Sequence, residues 1–301
     1  MNNKFAVIDV GTNNVLFLIA RKNNNKLDIL HRDTNISAFG KKMQDGYLNK
    51  TAINKTKRIL SDNINFARLF TENIIVVGTS CSRDAKNIDI LEKWLKKIFG
   101  LKYNIISGEK EAQLNGLANI TEFREFKNIV MFDVGGGSTE FTYFYNGKMI
   151  YNQSLNLGIR RLHNSQDTDY SERVRTTQKA LNNLVLPDFK EFKMIGIGGT
   201  VTSLSAVKHG LQKYDADVVH KSSLRNSEVK EMLDRFRRMS NNQIARLMPF
   251  DRYRADIITT GTMIVKEIMD IYGKDEIVVS DRGLQFGILY QEEKDLKDML
   301  F

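Results

Sequence analysis

The sequence predicts an α/β protein built of two similar lobes, and three observations carry that expectation. One strand–turn–strand pattern occurs twice: Val7-Ile8-Asp9-Val10-Gly11-Thr12-Asn13 returns as Met131-Phe132-Asp133-Val134-Gly135-Gly136-Gly137-Ser138-Thr139. Each copy opens a β-meander, so the repeat is one of architecture as well as motif. After each meander apolar strands alternate with helical periodicity, the pattern of a parallel sheet with helices packed on it. A chain of 301 residues holds two domains of ordinary size. The boundary is expected in the charged stretch 122–127, giving lobes 1–124 and 125–301, with the closing segment 284–301 packed back on the first lobe.

The first lobe reads as a strand, the small-residue turn at Gly11, a second strand, the polar tract 22–26 and a third strand over 27–31. Ile53, Leu60, Ile64 and Ala67 fall on one helical face. A buried strand over 74–77 follows, then a helix marked by Ile88, Leu91, Leu95 and Ile98, then a strand over 103–106. Ser107 is placed to cap a helix beginning near Glu109. In the second lobe the meander runs over 129–133, 140–145 and 148–154. Asn146-Gly147 joins its last two strands, a type I′ hairpin signal because both central residues need positive φ. A helix over 171–184 stops at Pro187, and a strand over 193–197 breaks into the turn Gly198-Gly199-Thr200. The chain is then helical over 228–238, from the capping box Ser240-Asn241-Asn242-Gln243, and through Ile257, Ile264 and Ile268. A strand over 276–280 leads to a closing helix from Leu284.

The composition, 42% hydrophobic and 27% charged, is that of a globular protein. The net charge of +9 favours anionic partners in general, leaving nucleic acid, anionic membrane and polyphosphate open. No nucleic-acid-binding module is recognisable. The single Cys81 forms no internal disulfide, and it has no Cys or His partner at zinc-ligand spacing. Asp9 interrupts the first apolar stretch, and no run approaches the ~18 apolar residues of a membrane span. The expectation is a cytoplasmic protein without membrane or specific nucleic-acid partners.

The chemistry is expected at the strand ends. Asp133-Val134-Gly135-Gly136-Gly137-Ser138-Thr139-Glu140 is the strongest local signal. Three glycines open main-chain N–H groups to a ligand, Ser138 and Thr139 add hydroxyls, and Asp133 and Glu140 supply carboxylates for Mg²⁺ or a water. Glu111 stands in the first turn of a helix, where acids favour the helix dipole and where a hydrolase needs a carboxylate for water. Arg83 follows a buried strand and has the donor geometry to bind phosphate bidentately. Gly196-Ile197-Gly198-Gly199-Thr200 resembles a dinucleotide fingerprint only in part, since Val201 occupies the place of its last glycine. No Walker A lysine follows any glycine loop.

Taken in order, these motifs resemble the exopolyphosphatase and guanosine pentaphosphate phosphatase family of the actin/hexokinase/Hsp70 (ASKHA) superfamily. The markers are Ile8-Asp9-Val10-Gly11-Thr12-Asn13, Thr79 to Asn87 with Arg83, Ile106-Ser107-Gly108 leading to Glu111-Ala112, Asp133 to Glu140, Gly158 to Leu162, Gly196 to Thr200, Arg254-Ala255-Asp256, and Ser280-Asp281 to Gly287. The resemblance implies two ribonuclease H-like lobes with an interlobe cleft, and Mg²⁺-dependent hydrolysis of terminal phosphoanhydrides. It implies Glu111 as catalytic base, with Asp133 and Glu140 as metal and water ligands and Asp9 as a third metal carboxylate. Thr12, Asn13, Arg83, Gly135, Gly136, Gly137, Ser138, Gly198 and Gly199 are implied as phosphate binders.

The chain departs from the pattern at Lys110, where a glutamate is usual, at Gln285, where an arginine is usual, and at Val15-Leu16-Phe17, which lacks a basic residue. Its length resembles the short members without a C-terminal HD-like domain. The expected substrate is inorganic polyphosphate, guanosine pentaphosphate or both, and a homodimer fits the architecture. A non-catalytic sensor of such polyphosphates, or a small-molecule kinase of the same superfamily, remains an alternative reading.

Overall fold

The computed structural model describes residues 3–23, 26–41, 43–164, 169–189 and 191–300. Asn24 and Asn25 of the polar tract lie outside the described residues. The chain divides into two compact units: one ends at Ala118 and resumes at Leu284, and the other is Asn119–Gly283.

The first unit begins with the antiparallel meander β1 (Lys4–Val10), β2 (Asn14–Asn23) and β3 (Lys26–Ile36). Helix α1 (Lys50–Ala67) follows, started by the Asn49 side chain, which accepts from the Thr51 N–H. β4 (Ile74–Gly78) then enters parallel to β1, and α2 (Ser80–Asp84), α3 (Asp89–Phe99), β5 (Tyr103–Ile105) and α4 (Gly108–Glu122) complete the run. β5 pairs parallel with β4, and the sheet order is β3-β2-β1-β4-β5. β1 is apolar at successive positions because both faces of the sheet are covered. Ala6, Ile8 and Val10 pack with Ile53, Leu60 and Ile64, whereas Val7 faces a second core made with Leu114, Ala118, Leu289 and Leu296. The last two come from the terminal helices Leu284–Tyr290 and Glu293–Leu300, which belong to this unit.

The second unit repeats the plan. β6 (Ile129–Val134), β7 (Thr139–Tyr145) and β8 (Lys148–Leu155) form its meander, with Asn146 and Gly147 at φ 48° and 74° in the hairpin. After α5 (Ile159–Asn164) and α6 (Tyr170–Leu181), β9 (Lys193–Ile197) lies parallel to β6. α7 (Gly198–Lys208), α8 (Ala216–Val219), β10 (Ser223–Arg225), α9 (Asn226–Arg237), α10 (Asn241–Leu247), the 3-10 turn Arg252–Asp256, α11 (Ile258–Ile271) and β11 (Glu276–Ser280) follow. The sheet order is β10-β11-β9-β6-β7-β8. Read from β8, its first five strands have the order and directions of the first unit's sheet, and β10 is an antiparallel addition at the edge. The core gathers Phe132, Phe141, Val201, Leu204, Phe236, Ile264 and Ile268.

Three local expectations need correction. Gly198-Gly199-Thr200 is the start of helix α7 rather than a separate turn, and α7 is buried nearly all round, which erases the amphipathic period. Ile98 is 55% exposed and not part of the α3 core face, which is Leu91 and Leu95. The closing helix is two helices, Leu284–Tyr290 and Glu293–Leu300. The Ser240 capping box is present as expected, and Ser107 Oγ accepts from the Lys110 N–H at 3.1 Å. Among the described residues no helix is long and apolar enough to cross a membrane.

Candidate active site

In each unit the turn after the first strand has its carbonyls tied back to the scaffold. In the second unit the Ile159 N–H donates to Gly135 O (3.0 Å), the Arg160 and Arg161 N–H groups to Gly136 O (2.7 and 3.1 Å), and Arg161 Nε to Gly137 O (2.8 Å). A trans peptide carries its carbonyl and the following N–H on opposite sides. The amides of Gly136, Gly137 and Ser138 are therefore turned away from α5, three consecutive main-chain donors of the kind that suits an anion. The first unit is tied likewise: Gly40 N donates to Thr12 O (2.8 Å), Ala38 N to Asn13 O (2.8 Å) and Ser37 Oγ to Asn13 O (3.3 Å).

This seat explains Gly158, which the sequence marked without assigning a role. A Cβ there would fall 2.3 Å from the Gly137 carbonyl carbon and 2.6 Å from Gly136 O, so only glycine lets α5 approach the loop. Arg160 is 2% exposed and pairs with Asp256 (2.9 Å) from the 3-10 turn, fixing the residue whose amide holds Gly136. Arg160, Arg161 and Gly158 are thus supporting residues, inside the stretch Gly158 to Leu162 that the sequence marked without giving any of them a role. No spacing rule singles them out, because they act through main-chain geometry.

Asp133 and Glu140 are directly opposed in the β6–β7 ladder. Glu140 is 3% exposed and accepts from Ser154 Oγ at 2.7 Å. Asp133 lies against the start of α7: Gly198 has φ +88°, and a Cβ on it would meet Asp133 Oδ1 at 2.2 Å. The helix N-terminus favours the carboxylate beside it. Gly199 packs on the buried Arg254 guanidinium, whose Nε donates to Asp251 at 2.8 Å.

In the first unit, Asp9 is buried at the end of β1, in register with Leu16 of β2 and Val77 of β4. α2 carries Arg83 off the carboxyl end of β4, and Ser107 starts α4 so that Glu111 stands in its first turn. The two meet: Arg83 Nη1 donates to Glu111 Oε2 at 2.8 Å and to Ile106 O at 2.9 Å. Burial pushes the Glu111 carboxyl above the usual carboxylate range, opposed by the charge and hydrogen bond of Arg83. Lys110 gives its main-chain N–H to Ser107. Gln285 is buried and donates to Val7 O at 2.9 Å, a bond that serves the β1 core. Expected residues therefore gather in two sets, Arg83 with Glu111 in one unit and Asp133, Glu140, the glycine loop and Gly198 in the other.

The donors fit a hard divalent cation. Among the described residues no three His, Cys, Asp or Glu form a metal-binding group. Mg²⁺ is commonly held by one or two carboxylates with substrate phosphate and water completing its shell, and the opposed pair Asp133 and Glu140 suits that mode.

Two ribonuclease H-like units, one with opposed acids beside a glycine loop, define a protein of the ASKHA superfamily. A family model for the Ppx/GppA phosphatases matches residues 18–296, and the chain belongs to the Ppx/GppA phosphatase family. It is 35% identical over 310 residues to the bifunctional 3-dehydroquinate synthase/phosphatase of Fusobacterium nucleatum, covering 95% of this chain but 46% of that protein. It is 28% identical over 313 residues to exopolyphosphatase 2 of Mycobacterium tuberculosis, covering 95% of this chain and 97% of that one. The crystal structure of the Aquifex aeolicus Ppx/GppA family member superposes with a TM-score of 0.81 at 27% identity, covering 98% of both chains. Family membership implies an acid-anhydride hydrolase with a divalent metal cofactor.

Proposed function

We propose that the protein is a Mg²⁺-dependent phosphohydrolase that releases orthophosphate from the end of inorganic polyphosphate, from guanosine pentaphosphate, or from both. The observation that carries this reading is Glu111: a largely buried carboxylate in a helix first turn, held by one arginine and raised in proton affinity, as a base for water requires. The outward amides of Gly136, Gly137 and Ser138 receive the terminal phosphate, with Thr12, Asn13, Arg83, Gly135, Gly198 and Gly199 as further phosphate contacts. Asp133 and Glu140 would hold the metal, and Asp9, at the equivalent strand end of the first unit, is a further candidate carboxylate for it. Bound there, Mg²⁺ supplies charge neutralisation on the phosphate oxygens. Glu111 orients the attacking water and takes its proton. Phosphoryl transfer through a loose transition state needs little more from the protein than position and charge.

The test is orthophosphate release with Mg²⁺ from long polyphosphate, guanosine pentaphosphate and ATP, comparing wild type with Glu111→Gln. Release from either of the first two, lost in the variant, supports the reading. A variant with the native rate removes Glu111 from the mechanism, and silence of the wild type on all three substrates overturns the hydrolase.

A further inference from the structure

Arg83 is a single side chain with two tasks to perform. Its Nη1 spends its two hydrogens on Ile106 O and Glu111 Oε2, and among the described residues its Nε–H and Nη2–H groups have no protein partner. A guanidinium is planar and rigid, so fixing Nη1 at two points fixes the direction of the opposite edge. The Ile106 carbonyl belongs to the segment between β5 and α4. It therefore orients Arg83 from the same stretch of chain that starts the helix carrying Glu111. The side chain is partly open to solvent, at 22%, whereas Glu111 is 12% exposed.

We propose that Arg83 is the positioning residue for the base: through Nη1 it aims Glu111 at the attacking water, while its Nε and Nη2 edge takes the terminal phosphate. The inference rests on the reading of Glu111 as base. One planar group then sets the distance between base and phosphorus, which two independent side chains would leave loose. An arginine that only bound phosphate would need no fixed link to Glu111.

The same contact sets the proton affinity of the base. Glu111 is governed by burial, which raises it, and by Arg83 from α2, which lowers it; its α4 neighbours Glu109 and Lys110 are not among these influences. Activity requires the carboxylate form, so the rate falls as pH drops through its titration. Removing the Arg83 charge leaves burial unopposed, and the acid limb moves to higher pH.

The experiment is the pH profile of kcat and of kcat/KM for orthophosphate release by wild type, Arg83→Gln, Arg83→Lys and Glu111→Gln, with thermal melts of each. The expected result is that Arg83→Gln lowers kcat by about a hundredfold near neutrality and shifts the acid limb alkaline by about one pH unit or more. Arg83→Lys, which keeps the charge without the fork, should restore the acid limb while recovering only part of kcat. A kcat and acid limb that stay native in Arg83→Gln, with the whole loss in KM, would show Arg83 as a phosphate contact alone and overturn the proposal. Should Arg83→Gln not fold, Arg83→Lys carries the test, and native kcat with raised KM overturns it equally. Native turnover by Glu111→Gln sinks the reading of the base itself; an inactive Glu111→Gln beside an unshifted Arg83→Gln sinks only this inference.

Discussion

Gly158 and Glu111 are single positions at which the proposed chemistry and the fold make different demands. Replacing Gly158 by Ala puts a methyl within 2.3 Å of the Gly137 backbone, which cannot yield as a side-chain tip would. We expect Gly158→Ala to lower kcat/KM by about a hundredfold, since a displacement near 1 Å is worth that much at a reacting centre. The melting temperature should fall by only a few degrees, which thermal melts and phosphate release together will show. Glu111 gives an opposite stability signature. Its folded-state proton affinity lies above that of the unfolded chain, so its contribution is fully present below the unfolded pKa and is lost as pH rises through the folded one. Glu111→Gln should therefore melt at or above wild type at pH 8, with the difference closing toward pH 4. A variant less stable than wild type at pH 8, with the gap shrinking as pH falls, would contradict this sign.

Helix α5 is short, yet it ties down the glycine loop proposed to receive the terminal phosphate. Its first turn supplies three main-chain donors and its Arg161 a fourth, while Arg160 reaches Asp256 behind it. Asp256→Ala should destabilise the second unit by about 2 kcal/mol, between the values for exposed and for fully buried pairs because Asp256 is 24% exposed. Chemical denaturation reads this directly, and a loss below a few tenths of a kcal/mol would mean that the pair does not secure α5. None of this was legible in the sequence: a six-residue helix has too few turns for a periodic signal, and a carbonyl bonded to an amide leaves no residue-type signature. α7 was hidden for another reason. Its sequence GGTVTSLSAVK is rich in Ser, Thr and Val and is buried on every side, so propensity and period both point elsewhere. The meanders, by contrast, were readable, because positive φ demands Asn146-Gly147 and close approach favours the repeated glycine turn, where a Cβ on Gly11 or Gly135 would meet a backbone oxygen at 3.1 or 3.0 Å. Arg83 and Glu111 were legible as candidates, but their direct contact was not, since it joins α2 to α4 across residues far apart in sequence.

Taken whole, the chain is two copies of one sheet order, each enclosing its own cores. The first copy is closed by residues from the far end of the chain, where Leu289 is fully buried and Leu296 nearly so beside Val7, Ile75 and Val77. Leu289→Ala should cost about 2–5 kcal/mol, and the damage should be local. Hydrogen exchange is expected to show lost protection in β1, β2 and β4 with β6, β9 and β11 unchanged. Uniform loss across both sheets would mean that the units do not unfold separately.

The same closure sets an order of events during synthesis. When the first 118 residues have left the ribosome, one face of their sheet, with Val7, Leu18, Ile75 and Val77, has Leu114 and Ala118 of α4 against it but still lacks the two terminal helices that complete its cover. The later-made unit, continuous from Asn119 to Gly283, has all its strands before those helices are translated. Folding in the usual direction of translation is thus reversed here: the part of the protein that begins first is finished last, and its apolar sheet face waits only partly covered for the length of a whole second unit.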